Sequence, residues 1–179
     1  METIETTLGV SLSESLLKQI NQARFNEFGD QPLEKENIKD SVFVNVLLGD
    51  ELVATAILFP IDGVIFEDKK YSVMGINGIV AIKKGAGYGR MLIGAISDYL
   101  AKIDKTGIGF CIPSNKGFYE KCNFGVDTLT INQFRFDDQH GKEKLETNDI
   151  VIFQEGSDGL ISKLRTHPGS LLFFPCHPW

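Results

Sequence analysis

The sequence predicts an α/β fold in which a central mixed β-sheet is flanked by helices. Two apolar segments, 42–48 and 52–59, surround a Gly-Asp pair at 49–50, which is the pattern of an antiparallel hairpin. A strand, a glycine-rich turn and a helix follow at 79–103, and a short apolar strand comes next at 108–112. Strands joined through a helix are usually parallel, whereas a hairpin is antiparallel, so the two patterns together predict a mixed sheet.

Length and composition favour one compact domain over residues 1–179. The chain has 179 residues, of which 42% are hydrophobic and 23% charged, as in ordinary globular proteins. A chain of this length can bury a full core. We expect the part at about 137–179 to be a C-terminal extension of the same domain.

The N-terminal elements are predicted from helical spacing and capping residues. Ser11 or Ser13 is expected to cap a helix, because apolar residues follow at helical spacing. The apolar side of this helix is formed by Leu12, Leu16, Ile20 and Ala23. The polar segment 24–40 is read as a solvated loop or short helix, and further strands are predicted at 64–66 and 71–82.

The second half of the chain continues with a helix and several short strands. The helix after the glycine turn carries an apolar stripe formed by Leu92, Ile96, Tyr99 and Ile103. Beyond residue 127 we expect a strand at 128–136 with a bulge at Asn132-Gln133, a flexible polar loop at 139–148, a strand at 150–153, a short helix or strand at 161–165 and a strand at 171–174.

The glycine turn is the strongest functional signal. Gly85, Gly87 and Gly89 alternate directly before the helix, so backbone N–H groups are left uncovered by side chains. A helix N-terminus attracts anions through these groups and through the helix dipole. Lys83, Lys84 and Arg90 add full positive charges around the turn. The pattern therefore suits a pyrophosphate or a similar oxyanion.

Two common phosphate-binding loops do not match this turn. No Lys-Ser or Lys-Thr follows the glycines, as a P-loop requires, and the third glycine of Gly-x-Gly-x-x-Gly is absent. The spacing that is present resembles the acetyl-CoA loop of GCN5-related N-acetyltransferases, written Gln/Arg-x-x-Gly-x-Gly/Ala. Gly87 and Gly89 match that motif, and Lys84 stands where Arg or Gln is usual. A glycine-rich connection without a ligand is the alternative interpretation.

A second segment resembles the same superfamily. Residues 117–125 are similar to its Phe-Tyr-x-x-x-Gly-Phe segment and lie about thirty residues after the loop. The resemblance implies that Tyr119 protonates the departing CoA thiolate; otherwise it is an aromatic residue of the core. Asn123 replaces the usual glycine, and asparagine is the next-best residue in a left-handed helix cap.

The resemblance implies a direct transfer of acetyl from acetyl-CoA to a primary amine of a small molecule. Here Ile82 is followed directly by the basic residues, so the loop is shorter than is usual in the family. The residues that the resemblance places on the cofactor are Val80, Ala81, Ile82, Lys84, Gly85, Ala86, Gly87, Tyr88, Gly89, Arg90 and Asn115. Two other classes stay open: a non-catalytic acyl-CoA-binding module and an N-acetyltransferase of proteins or peptides.

The acceptor site is predicted from a weaker resemblance. The chain ends in Trp179, as does the aminoglycoside 2′-N-acetyltransferase branch, in which the terminal residue lines the acceptor site. By that resemblance, Trp179 and Asn77 contact the amine, although Asn77 stands where the branch has a glutamate and cannot act as a base. The tail 175–179 is expected to dock, and the acidic residues of 24–40 to form a wall of the pocket.

Charge and composition exclude several other functions. A net charge of −6 and a pI near 5.1 argue against nucleic acid, which needs a basic face. We find no apolar run long enough to span a membrane and no signal peptide, and the three cysteines are spaced as reduced thiols. The three histidines show no metal-ligand spacing. We therefore expect a cytoplasmic protein without a metal; a homodimer is left open.

Overall fold

The structure is a computed structural model that describes residues 1–138, 141–144 and 148–176. The helices are α1 (Glu14–Phe28), α2 (Lys35–Ile38), α3 (Tyr88–Ile103), α4 (Lys116–Lys121) and α5 (Leu160–Thr166). The strands are β1 (Glu2–Leu8), β2 (Val42–Leu48), β3 (Glu51–Phe66), β4 (Lys69–Ala81), β5 (Gly107–Cys111), β6 (Gly125–Asp127), β7 (Phe134–Asp138), β8 (Gly141–Lys144), β9 (Ile150–Gln154) and β10 (Leu172–Phe174).

The chain divides into two compact units. Unit 1 comprises Met1–Phe59 and Ile76–Ile96, and unit 2 comprises Pro60–Gly75 and the chain from Ser97 onward. The boundaries fall within β3, β4 and α3, so each of these elements contributes residues to both units. The expected single domain with a C-terminal extension stays a prediction.

Unit 1 is an antiparallel sheet covered by α1. Its strand order is β1-β2-β3-β4, and the predicted hairpin pairs β2 with β3. Leu17 and Ile20 of α1 are buried with Phe43 of β2 and Ile57 of β3, so the helix covers one face of the sheet. This packing explains why the apolar residues of α1 recur at helical spacing.

The helix α1 begins at Glu14, after Leu12, which was predicted to lie on the helix. Of the two predicted caps, Ser13 is the one used: its hydroxyl accepts a hydrogen bond from the Leu16 N–H at 3.2 Å. The helix ends at Gly29, which has a positive φ of 74°. Leu12 was expected on the helix but lies before it, and it is still buried in the core of the unit.

Unit 2 contains the mixed part of the sheet. Its strand order is β6-β9-β5-β4-β3-β10-β7-β8. The pairing of β10 with β7 is parallel, whereas β5 and β6 each pair antiparallel with β9. The α5 side chains Leu160, Ile161 and Leu164 are buried against these strands, which settles 161–165 as a helix. The predicted mixed sheet flanked by helices is thereby confirmed.

The structure differs from the predicted elements at β3, at residues 128–136 and at residues 139–148. The predicted strands 52–59 and 64–66 form one continuous strand, β3, which runs through an exposed Pro60. The expected bulge at Asn132-Gln133 is a short 3₁₀ turn at Thr130–Gln133, and the strand begins only at Phe134. The buried Gln133 amide donates to the carbonyls of Leu164, His167 and Ser170, which accounts for a polar residue inside the core.

The segment 139–148 was expected to be a flexible loop, but Gly141–Lys144 forms strand β8 and pairs with β7. Its composition is polar because β8 ends the strand order of the sheet, and edge strands tolerate charged residues that discourage further pairing. Residues 139–140 and 145–147 lie outside the described residues.

The predicted helix after the glycine turn is confirmed as α3, with Leu92 and Ile96 buried and Tyr99 and Ile103 half-buried. Within the described part of the chain, no helix is long and apolar enough to cross a membrane.

Gly9 offers a test of the packing in unit 1. Its N–H donates to the Ser41 carbonyl at 2.8 Å, and an added Cβ would lie 1.9 Å from the Ile38 carbonyl oxygen. Because backbone cannot yield cheaply, Gly9→Ala should lower the free energy of unfolding by about 1–3 kcal/mol. The matched control is Gly94→Ala in α3, where a Cβ meets nothing within 4 Å. Chemical denaturation should show it unchanged or stabilised by about 0.5–1 kcal/mol; equal effects of the two variants would contradict the packing.

Candidate functional site

The turn between β4 and α3 depends on two of its three glycines. Gly85 and Gly87 have φ angles of +82° and +87°, which disfavour any residue with a Cβ. A Cβ at either position would meet nothing within 4 Å, so the glycines are needed for the backbone conformation and not for space. Gly89 lies inside the first turn of α3 and has no positive φ.

The turn presents the N-terminus of α3 to solvent. The Gly87 carbonyl accepts from the N–H groups of Arg90 at 3.0 Å and Met91 at 3.1 Å, which starts the helix. The N–H groups of Tyr88 and Gly89 therefore have no partner within the helix. Residues 83–87 are exposed, and the Ile82 N–H donates to the Val53 carbonyl at 2.9 Å, which ties the start of the turn to β3.

The lysines beside the turn are engaged by acidic side chains. Lys83 pairs with Glu51 at 2.8 Å, and Lys84 pairs with Glu27 at 2.9 Å. Both pairs are exposed, so each contributes little to stability and can exchange with another anion. The two lysines therefore flank the turn with full charges, as predicted from the sequence, and each has an acidic partner. Arg90 is exposed and has no ion pair among the described residues.

Tyr119 lies on α4 and is 5% exposed. Its ring contacts Phe118 edge-on at a centroid distance of 5.2 Å and Phe124 at 6.2 Å. Burial raises the pKa of the Tyr119 hydroxyl, and the neighbouring Cys111 and Cys122 thiols raise it further. The phenol therefore keeps its proton at neutral pH, as a proton donor must.

The end of α4 fixes the backbone at Tyr119. Asn123 has a φ of +58°, so it adopts the left-handed conformation in which the sequence pattern places a glycine. The Phe124 N–H donates to the Tyr119 carbonyl and the Asn123 N–H to the Glu120 carbonyl, each at 3.0 Å. Together these hydrogen bonds form a Schellman cap, which confirms the interpretation of Asn123.

The residues in and just after β4 that are predicted from the sequence to contact the cofactor or the acceptor differ in exposure. Val80 is buried, Ala81 is half-buried and Ile82 is 44% exposed. Asn77 is half-buried, and its side-chain oxygen accepts from the Gly78 N–H, so the amide is held against its own strand. Gly78 has a φ of +58°, which is irregular for a strand.

The last two predicted site residues are Asn115 and Trp179. Asn115 is exposed in a short 3₁₀ turn at Pro113–Asn115, and its N–H donates to the Ile112 carbonyl at 3.0 Å. Trp179 lies outside the described residues, and the tail before it is exposed at Pro175 and Cys176. The docking of the tail stays a prediction.

Sequence reasoning missed Arg24, which is buried in α1. It is 6% exposed and pairs with Asp30 at 2.5 Å. Its spacing was the one signal, since Arg24 follows the buried Ile20 by four residues and lies on the same side of the helix, but spacing does not separate a buried arginine from an exposed one at this position. Asp30 and Glu27, expected in an acidic wall, are each paired with a basic residue. In the described ranges, no cluster of His, Cys, Asp or Glu could hold a metal ion.

No protein-family model matches the sequence, and no curated protein matches it. Solved structures do match in fold. Escherichia coli ElaA is 17% identical with a TM-score of 0.61, and 87% of this chain aligns with 100% of that chain. A Pseudomonas aeruginosa acyl-CoA N-acyltransferase is 14% identical with a TM-score of 0.60, and 86% of this chain aligns with 99% of that one.

Larger proteins contain the same fold as a part. A GCN5-related N-acetyltransferase from Kribbella flavida is 16% identical with a TM-score of 0.52 over 74% of this chain, and this chain spans 37% of its length. This chain likewise spans only 33% of a matching Enterococcus faecalis chain. The protein therefore has the N-acetyltransferase fold that its loop and tyrosine motifs predict. The resemblance to the aminoglycoside branch stays a prediction.

Cys111 gives a test of the buried surroundings of Tyr119. Burial, and then the charge of Asp149, raise the pKa of the Cys111 thiol to about 11. The unfolded chain loses this proton near pH 9, so the native state loses stability as the pH rises from 9 to 11. By linkage the loss is at most about 2–3 kcal/mol. In Cys111→Ala, denaturation at several pH values should show a flatter slope between pH 9 and 10. Tyrosines also begin to titrate in this range, but they do so in both proteins, so the difference between the two slopes reports the thiol. An unchanged slope would mean that the thiol is not desolvated.

Proposed function

We propose that this protein is an acyl-CoA-dependent N-acetyltransferase that transfers acetyl from acetyl-CoA directly to a primary amine of a small molecule. The observation that carries the proposal is the exposed left-handed turn at Gly85 and Gly87, which opens α3 within an N-acetyltransferase fold. We also propose that the chain acts as one domain in the cytoplasm and that it needs no metal.

The cofactor is bound mainly by backbone groups. Its pyrophosphate accepts hydrogen bonds from the amides of 85–90, where the α3 dipole favours negative charge. Its pantetheine arm lies along Val80, Ala81 and Ile82, and Asn115 contacts it from the start of α4. Lys84 reaches the phosphates by leaving Glu27, an exchange that costs little because the pair is exposed.

The reaction is a direct attack of the amine on the thioester carbonyl. A C–N bond forms, the C–S bond breaks, and the sulfur leaves with the bonding electron pair. Holding the two reactants together supplies much of the acceleration. The amine loses one proton to solvent or to a carboxylate, because Asn77 is not a base. Asn77 and Trp179 line the acceptor pocket in this proposal.

Tyr119 delivers the proton that the leaving sulfur needs. Its raised pKa makes it a weaker acid than a thiol in water, so transfer would be unfavourable if the thiolate were solvated. The buried Cys111 shows that this part of unit 2 raises a thiol pKa as well, to about 11. A CoA thiolate in similar surroundings would be more basic than in water, which narrows the difference between the two pKa values and makes the proton transfer less unfavourable.

Replacing Gly87 tests the cofactor loop. Gly87→Val forces a β-branched residue into a left-handed conformation, so the turn should rearrange and withdraw its amides. Calorimetry with acetyl-CoA should show at least a tenfold loss of affinity, about 1.4 kcal/mol. Gly94→Ala, in the same helix but away from the turn, should bind normally. Wild-type affinity in a folded Gly87→Val protein would refute the loop assignment.

Replacing Tyr119 tests the proton donor. Tyr119→Phe keeps the ring contacts and removes only the hydroxyl, so kcat should fall by about 10²–10⁴ while the Kd of acetyl-CoA stays unchanged. Tyr99→Phe is the matched control, because Tyr99 is a half-buried tyrosine of α3 that the mechanism does not use. Thiol release measured with an identified acceptor separates the two. Equal rates for wild type and Tyr119→Phe would leave Tyr119 as a core aromatic.

A further inference from the structure

Arg24 is a buried cation whose hydrogen-bonding capacity is only partly used. Its side chain is 8% exposed, and its Nη2 donates to an Asp30 carboxylate oxygen at 2.5 Å. Its Nε and Nη1 are fully buried and have no hydrogen-bond partner in the structure as described. A guanidinium carries five N–H donors, so most of them are unsatisfied here.

Such a group is costly in a protein that lacks a ligand. Desolvation lowers the pKa of Arg24 and outweighs the opposing effect of Asp30, although arginine still stays charged at neutral pH. A leucine or methionine of similar length would fill this position in α1 without that cost. A buried donor without an acceptor therefore calls for a ligand or for bound water.

The unsatisfied nitrogen lies against the central strand. A Cβ built on Gly78 would come 3.1 Å from Nη1, so the guanidinium packs directly on the β4 backbone at its irregular, positive-φ position. Gly78 follows Asn77, which we propose to line the acceptor pocket. The Asn77 side chain accepts from the Gly78 N–H and so leaves Nη1 without an acceptor from this strand.

We infer that Arg24 binds a carboxylate of the acceptor, so that the amine substrate is an amino acid or a close derivative that keeps its carboxylate. This inference rests on the proposed function and deepens it. Asp30, whose side chain is 35% exposed, marks where the buried guanidinium approaches solvent. Because Nη1 has no exposed surface in the structure, the guanidinium must shift toward the solvent side at Asp30 when the substrate carboxylate binds, and the substrate amine then faces the thioester.

The charges of unit 1 favour a monoanion over other ligands. Because the Arg24–Asp30 pair is already neutral, a bound carboxylate leaves one uncompensated negative charge, whereas a phosphate dianion would leave two.

The first test uses the wild-type protein and matched acceptors. Thiol release from acetyl-CoA is measured with amino acids, their amides and their decarboxylated amines, such as phenylalanine, phenylalaninamide and phenethylamine or lysine and cadaverine. The carboxylated member of an accepted pair should have a kcat/KM at least tenfold higher. Amides or decarboxylated amines that react as well as the amino acid would overturn the inference.

The second test changes the charge on the protein. Arg24→Gln should raise the KM of the carboxylated acceptor by about 10- to 100-fold, which is the range of a charge-assisted hydrogen bond, and should leave the decarboxylated amine unaffected. Lys18→Gln, an exposed lysine on the same helix, is the control and should change neither. Asp30→Asn removes a competing carboxylate and should lower the KM of the carboxylated acceptor.

The outcomes separate this inference from the proposed function. Equal losses for both acceptors in Arg24→Gln would show that Arg24 is structural or acts on the thioester, and would overturn the inference alone. If Arg24→Gln does not fold, the wild-type acceptor pairs and Asp30→Asn decide. Turnover of amines without regard to a carboxylate leaves the acetyltransferase intact and refutes the carboxylate site. Absence of turnover with every amine refutes the proposed function and this inference together.

Discussion

The site depends on how the chain passes from β4 into α3. A strand ends with its N–H and C=O groups directed sideways, whereas a helix begins with several N–H groups directed along its axis. Two residues with positive φ, Gly85 and Gly87, make this change of direction within a few residues. Because nothing crowds their missing side chains, the exposed surface there is backbone, and we propose that this backbone binds the pyrophosphate of the cofactor.

Three basic side chains of unit 1 are held in ion pairs. Lys83, Lys84 and Arg24 each have an acidic partner, although the net charge of the chain is −6. The two lysine pairs are exposed and exchangeable, so they can respond to an incoming anion at little cost. Arg24 differs, since its burial makes the same charge expensive and leaves its unused donors as the sharpest electrostatic feature of the unit.

The differences between prediction and structure have identifiable causes. The predicted strands 52–59 and 64–66 are one strand in the structure, because Pro60 between them is exposed and β3 continues through it. The polar composition of 139–148 suggested a loop, but an edge strand such as β8 needs no apolar face. Arg24 occupies a position of the apolar stripe of α1, and no local pattern distinguishes a buried arginine there from an exposed one at the margin of the stripe.

The sequence by itself determined the fold class, the hairpin, the glycine turn before α3 and the cap at Asn123, because each follows from local backbone preferences or from short periodic patterns. Only the tertiary structure decided that Arg24 is buried beside Gly78, that both loop lysines are paired and that Tyr119 is desolvated. These properties arise from residues far apart in the chain, whose burial and partners are set by packing and leave no mark on the local sequence.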